Sequence, residues 1–199
     1  MQMKEIGQTY QESLLIALNK EFKFKMPCKR EIKEEKIIYK NSKYLELLES
    51  KIKLGSNNLT NYSRINRQSF SQVILINELE QYLFQLRYRI GCKDYILEFP
   101  GGAIDQNETP IKSAEREMRE ELGLNNINLI QLGSCYIDPM RSEFRGYFFK
   151  SNLLNTLKPF TAFVEGELEE SYFFWMGKDQ IKKYFSLLAS SAIIGLYLI

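Results

Sequence analysis

Histidine is absent from this chain of 199 residues. That absence excludes His-based catalytic triads, His-ligated zinc and a histidine general base, so any proton transfer must fall to Glu, Asp, Lys or Tyr. Cysteine is scarce. Cys28, Cys92 and Cys135 are scattered without metal-ligand spacing and read as buried or incidental thiols of a reducing compartment, which points to the cytoplasm. Neither sign of charge dominates. A formal net charge of +2 gives no global pull toward nucleic acid, and no nucleic-acid partner is expected. The N-terminal stretch carries acidic Glu5 and Glu12 early and lacks the apolar core and cleavage site of a signal peptide. The apolar stretch from Phe185 to Ile199 is too short to span a bilayer and is interrupted by Ser190, Ser191 and Gly195, so a buried C-terminal helix is expected and no membrane partner.

What is present is ordinary for a globular protein: 44% hydrophobic and 26% charged residues, at a length that suits one domain with an extension. Gln8 to Lys20 has helical periodicity, and Phe22 to Lys36 reads as a charged arm. Lys36 to Lys53 holds one or two strands, Gly55 to Asn58 a turn, and Asn61 to Arg67 a further strand. Ser71 to Ile76 and Tyr82 to Tyr88 read as the two arms of a hairpin. Tyr95 to Phe99 is a short strand. Strands are expected again at Ile127 to Tyr136, Gly146 to Phe149 and Leu168 to Met176, and closing helices at Asp179 to Tyr184 and Leu187 to Leu198. The pattern is mixed α/β.

Between Gly101 and Leu124 the sequence is most specific. Pro110 suits a first helical turn, Ala114 and Met118 are good helix formers, and Gly123 sits where helices stop in a left-handed conformation. On that helix Glu117, Glu120 and Glu121 are spaced i, i+3, i+4 and share one face. Acidic runs ordinarily line a solvated helix face. Here the like charges are gathered together with further fixed positions: Gly102, Glu108 six places on, Arg116-Glu117 eight further, Met118, then Gly123-Leu124. Three carboxylates that repel one another call for something cationic between them, and hard Mg²⁺ or Mn²⁺ takes such oxygen ligands. Arg116 and Glu108 are placed to pair and brace the loop against the helix.

Those positions fill the pattern G-x5-E-x7-R-E-U-x-E-E-x-G-U, U being apolar. The chain therefore resembles the Nudix hydrolases, enzymes that cut a diphosphate linked to a nucleoside with the help of divalent metal. The resemblance implies an α/β/α sandwich with a mixed sheet over residues 69–199 and a small N-terminal β-region over 36–68. Residues 1–35 fall outside it as an arm without assigned function.

Outside the box, the chain resembles the ADP-sugar pyrophosphatases, whose best-known substrate is ADP-ribose. Leu97-Glu98-Phe99-Pro100-Gly101 is similar to that group's E-[LF]-P-[AG]-G, and Leu86-Arg87-Tyr88-Arg89 to its Q-[FY]-R. Pro139 stands sixteen residues after Gly123, and Glu165-Gly166-Glu167 resembles a loop that supplies a late carboxylate. The resemblance implies Glu117, Glu120 and Glu121 as metal ligands, with the Gly101 carbonyl as an extra one. It implies Glu167, or else Glu165, as the group that orients the attacking water. Arg89 and Arg67 are the phosphate-binding candidates, and Glu98 and Pro139 complete the substrate side. Where relatives often carry adenine-stacking tryptophans, this chain has Tyr44 and Tyr62. In the family that β-region often belongs to a homodimer. The expected partner is a small nucleoside diphosphate. GDP-sugars, dinucleoside polyphosphates and NADH remain rivals, as does a nucleotide sensor without catalysis.

Overall fold

A computed structural model of the protein describes residues 2–23, 25, 27, 29–41, 45–54, 58–153, 157–162 and 170–199. Helix α1 (Gln2–Phe22) comes first, then β1 (Glu31–Asn41), β2 (Leu45–Leu54) and β3 (Asn58–Arg67). These strands form a three-stranded sheet in that order. The charged stretch read as an arm thus contains the start of β1. Opposite-charge pairs across strands, such as Lys36–Glu49 at 2.9 Å and Lys51–Glu34 at 2.7 Å, tie this solvent-facing sheet together. The chain divides into two compact units, Met1–Glu35 with Ser50–Tyr62, and Lys36–Glu49 with Ser63–Ile199.

The larger unit holds β4 (Phe70–Asn77), β5 (Tyr82–Arg89), β6 (Asp94–Glu98), β7 (Gly101–Ala103), α2 (Pro110–Leu122), β8 (Ile130–Tyr136), β9 (Arg145–Leu153), β10 (Phe160–Ala162), β11 (Ser171–Met176), α3 (Lys178–Lys183) and α4 (Ser190–Tyr197). Its sheet runs β10-β11-β5-β4-β9-β8, with β6 on β5 and β7 on β4. β4 and β9 are parallel and the other pairs antiparallel, so the sheet is mixed. Helices cover both faces. Val73, Leu75, Leu83, Phe149 and Phe173 pack with Ala114 and Met118 of α2. Ile74, Phe84, Phe99, Phe148 and Met176 pack with Ile181, Leu188 and Ala192 on the opposite side. A strand covered on both faces reads as an unbroken apolar run, which is why Val73 to Ile76 shows no alternation. The result is the α/β/α sandwich.

Two local expectations change. The β4–β5 hairpin pairs only at its turn end, Ile76 with Tyr82. Beyond that the strands part, and the segment Phe99–Pro100 enters the gap. Val73 N–H donates to the Pro100 carbonyl at 2.9 Å, and Gln85 Nε2 donates to the Phe99 carbonyl at 3.0 Å. Phe99 itself stacks on Phe84 at 4.6 Å. The C-terminal helix is the other change. It starts later than expected, because Leu188 bridges to Leu97 and Ala189 N–H donates to the Leu97 carbonyl at 3.0 Å, holding the backbone extended there. Only one side of α4 is buried, with Ala192 and Gly195 inward and Tyr197 exposed, since an eight-residue helix laid on one sheet face leaves the other to solvent.

Candidate active site

The stretch from Gly101 to Leu124 forms a strand, a loop and α2. Thr109 caps the helix, its hydroxyl accepting from Lys112 N–H at 3.4 Å, and Pro110 occupies the first turn. Gly123 ends it at φ 66°, with its N–H returned to the Arg119 carbonyl at 3.0 Å. The apolar stripe of α2 seats Ala114 and Met118 on the sheet. That seating turns Glu117 and Glu121 toward the protein, 7% and 4% exposed, while the Glu120 side chain stays 42% exposed. The three glutamates share a face but not an environment.

The cations between these carboxylates are guanidiniums. Arg116 is the hub, and its five N–H donors are all used. Nε and Nη2 donate to Glu108 at 3.0 and 3.1 Å, Nη1 to Glu117 at 2.7 Å and Glu120 at 3.0 Å, and Nη2 also to the Ala103 carbonyl at 2.9 Å. Arg116 and Glu108 do brace the loop against the helix. Hydrogen bonding to Glu108, against the opposing effect of burial and with the charge of Glu117 added, holds the Arg116 guanidinium firmly protonated. In return the Arg116 fork keeps the Glu108 carboxyl below the ordinary glutamate range, although burial pushes the other way; Asp105 N–H helps at 3.1 Å.

Glu121 is held from two sides. Arg87 Nη2 donates to its Oε1 at 3.0 Å, and Gly101 N–H to its Oε2 at 2.9 Å. Arg87, 4% exposed, also donates to Ser171 Oγ at 2.6 Å and Gln85 Oε1 at 3.0 Å. Arg87 is the residue that sequence reasoning missed. Gln85-Leu86-Arg87, two places before the arginine expected to bind phosphate, spells Q-x-R directly. A second signal is that Gln85 and Arg87 are polar positions following the apolar start of the strand, Leu83 and Phe84.

Glycine is required at two places. Gly101 has φ 140°, and a Cβ there would sit 2.9 Å from Gln72 Cα and closer still to the Ser71 carbonyl oxygen. At Gly102 a Cβ would lie 2.6 Å from Glu117 Cδ. The backbone therefore passes directly against both buried carboxylates.

The other expected site residues have partners or positions of their own. Arg89 pairs with Glu98, Nε donating to Oε2 at 3.0 Å, on the β5–β6 pair. Arg67 lies over the Phe144 ring at 4.4 Å. Pro139 is exposed in a turn whose neighbour Arg141 accepts from Ile65 N–H at 2.8 Å and donates to the Ser63 carbonyl at 3.1 Å, tying that turn to β3. Tyr62 is half-buried on β3, in the smaller unit. Tyr44, Glu165 and Glu167 lie outside the described residues, as does Cys28. Cys92 is exposed, and burial raises the half-buried Cys135 thiol. A cavity of about 570 Å³ opens beside β5 and β11, lined by Leu86, Tyr88, Tyr95, Ser171 and Tyr172, and no box residue lines it. The candidate site is thus located by its charged groups, not by concavity.

Divalent metal can be tested against these groups. Among the described residues no three acidic, Cys or His side chains close on one point. The donors are nonetheless hard oxygens, and the sign of their charge fits: Arg87, Arg116 and, at 4.0 Å from Glu120, Arg119 face the four carboxylates Glu108, Glu117, Glu120 and Glu121, so negative charge remains in excess. Repulsion among the glutamates does not by itself demand a metal, since arginines already relieve much of it; the residual negative charge is what suits a divalent ion. Among the described residues, no helix is long and apolar enough to cross a membrane.

Fold and site together define a class: an α/β/α sandwich with one acidic loop-helix against its mixed sheet. A model of the NUDIX domain matches residues 66–192, well over half the chain. The chain belongs to the Nudix hydrolase family. It is 38% identical over 64 residues to an 8-oxo-dGTP diphosphatase of Haemophilus influenzae, covering 32% of this chain and 40% of that protein. It is 35% identical over 69 residues to an RNA pyrophosphohydrolase of Bartonella bacilliformis, covering 33% and 39%. The chain thus spans under half the length of these curated relatives. A solved structure described as an ADP compounds hydrolase superposes with a TM-score of 0.67 over 88% of this chain and 94% of its own, at 16% identity, which shows a shared fold.

Mutating Glu108 tests the brace. A depressed carboxyl stabilises the fold above the pKa it has when unfolded and ceases to do so as pH falls through its folded value. Glu108→Gln should cost about 1 kcal/mol at pH 7, the size of a partly solvated ion pair. In urea titrations the gap to wild type should close below the ordinary glutamate pKa, roughly 4.3. A gap unchanged from pH 7 to 3 would show that the charge of Glu108 is not what the brace uses.

Proposed function

We propose that the protein hydrolyses the diphosphate of ADP-ribose or a related ADP-sugar to AMP and a sugar phosphate. The observation that carries the reading is the pair of buried, hydrogen-bonded carboxylates, Glu117 and Glu121, set against the glycine backbone at Gly101–Gly102. The ADP-sugar preference rests on Glu98-Phe99-Pro100-Gly101, on Pro139 at its offset from the box, and on the fold shared with a protein described as an ADP compounds hydrolase. Two curated relatives are named for 8-oxo-dGTP and for RNA, so the substrate is the part to test.

Glu117, Glu120 and Glu121, with the Gly101 carbonyl, would hold Mg²⁺ or Mn²⁺, which when bound supplies charge neutralisation for the diphosphate and lowers the pKa of the attacking water. The protein's own work is to place these groups. Arg116 fixes the spacing of Glu117 and Glu120 and pins the loop through Glu108. Glu167, or else Glu165, orients the water. The water oxygen forms a bond to one phosphorus, its proton passes to a carboxylate or to solvent, and the bond from the bridging oxygen to that phosphorus breaks, giving AMP and ribose 5-phosphate. Arg89 and Arg67 neutralise substrate charge, and Tyr44 and Tyr62 stack on adenine. The protein works as a cytoplasmic homodimer, with residues 69–199 carrying the chemistry and the β-region of 36–68 lending adenosine contacts.

The test is AMP release with Mg²⁺ from ADP-ribose, ADP-glucose, GDP-mannose and diadenosine polyphosphate. ADP-ribose should lead in kcat/KM by at least about tenfold, about 1.4 kcal/mol of differential transition-state binding. Preference for a guanine or dinucleotide substrate would keep the chemistry and overturn the specificity. Tight binding without turnover of any of them would move the protein to nucleotide sensing.

A further inference from the structure

Arg87 is a fully buried cation in direct contact with a carboxylate that the proposed function gives to a metal. Its guanidinium is built in: Nε on Ser171 Oγ at 2.6 Å, and Nη2 shared between Gln85 Oε1 and Glu121 Oε1 at 3.0 Å each. Glu121 is equally engaged, with its second oxygen on Gly101 N–H at 2.9 Å. Both side chains are almost wholly removed from water, at 4% and 2% exposure. Such a pair is stable only while each member satisfies the other, because either charge alone in that interior would be uncompensated. The network also ties three elements together by polar contacts: β5 through Gln85 and Arg87, β11 through Ser171, and α2 through Glu121.

We infer that Arg87 is a positioning residue that stands in for the cation while the site is empty and opposes the metal when it binds. This rests on the reading of Glu121 as a metal ligand. Two physical consequences follow. Without metal, Arg87 keeps Glu121 buried and oriented, so the site is preformed. When a divalent cation approaches Glu121, the guanidinium charge is already within hydrogen-bonding distance of the same oxygen. Whether Arg87 swings away or stays, its charge counts against the incoming ion. Metal affinity is therefore set below what the carboxylates alone would give, and the difference is governed by one residue outside the box.

The experiment is titration of the full-length protein with Mn²⁺, followed by electron paramagnetic resonance and by the metal-induced rise in Tm. Arg87→Gln removes the charge and should bind Mn²⁺ about tenfold more tightly than wild type, while melting lower in chelator, so that its metal-induced rise in Tm is the larger. Arg87→Lys keeps the charge but loses the fork, and should bind Mn²⁺ within about threefold of wild type. A residue with a merely structural role would lower Tm in both variants without tightening metal binding in either. Binding by Arg87→Gln that is unchanged or weaker overturns the inference. If that variant does not fold, Ser171→Ala releases the Nε anchor alone and should tighten Mn²⁺ by two- to threefold, roughly the effect of loosening one hydrogen bond; no tightening there overturns it equally. The metal reading has its own control: wild type that binds no Mn²⁺, or Glu121→Gln that binds it as well as wild type does, removes that reading and this inference with it.

Discussion

Glu121→Gln should reduce diphosphate hydrolysis by about three orders of magnitude, the equivalent of roughly 4 kcal/mol of lost transition-state stabilisation at a metal-assisted centre. Glutamine keeps the shape and one acceptor oxygen, so Gly101 and Arg87 can still find partners in part. What is lost is the charge. The same change leaves Arg87 buried opposite a neutral amide, and breaking a buried pair costs about 3 to 5 kcal/mol of stability. A domain with about 10 kcal/mol in hand stays folded at 25 °C under that loss. The activity loss should therefore appear in kcat per folded molecule, with circular dichroism unchanged and Tm lowered. Glu120→Gln, at an exposed and singly bonded position, should cost far less on both measures. If Glu120→Gln proved as damaging as Glu121→Gln, burial would not be ranking these ligands.

Gly101→Ala should be the most damaging single methyl in the protein. At φ 140° an L-residue is strained before any contact is counted, and the added Cβ meets backbone, Ser71 and Gln72, rather than a side chain able to turn aside. A loss of about 4 kcal/mol or more is expected from strain and overpacking together, read as the urea midpoint or, if the protein no longer folds, as loss of soluble expression. Displacement of the Gly101 N–H should also loosen Glu121, so any folded fraction should turn over more slowly. A Gly101→Ala variant within about 1 kcal/mol of wild type would mean that the loop can move off β4, and that Gly101 does not fix the distance between backbone and carboxylate.

Much of the site was legible because its determinants are local. Thr109, Pro110 and Gly123 bound the helix by capping chemistry that involves only neighbours, and the i, i+3, i+4 spacing of the glutamates follows from helical geometry alone. Arg116 and Glu108 are eight positions apart, near enough for one loop to close the pair. Arg87 was hidden for the opposite reason: it lies 34 residues before Glu121, and nothing local says that β5 will lie beside the C-terminal half of α2. Arg89 offered the same charge two residues on and on the same face of β5, and only the pairing of β5 with β6 shows that its guanidinium goes to Glu98. The β4–β5 hairpin was misread in extent for a related reason. Two adjacent apolar strands look like partners, and only the presence of Phe99–Pro100 between them shows where their backbone groups go.

By itself the sequence determined the loop-helix, its caps, the order of carboxylates and arginine upon it, and hence the family, because each depends on spacing along a single continuous segment. The tertiary structure alone decided that Glu117 and Glu121 are buried while Glu120 is exposed, that Gly101 presses its backbone on Glu121, and that Arg87 is the counter-charge. Burial and charge pairing depend on which surfaces are brought together in space, and no segment of the chain carries that information alone.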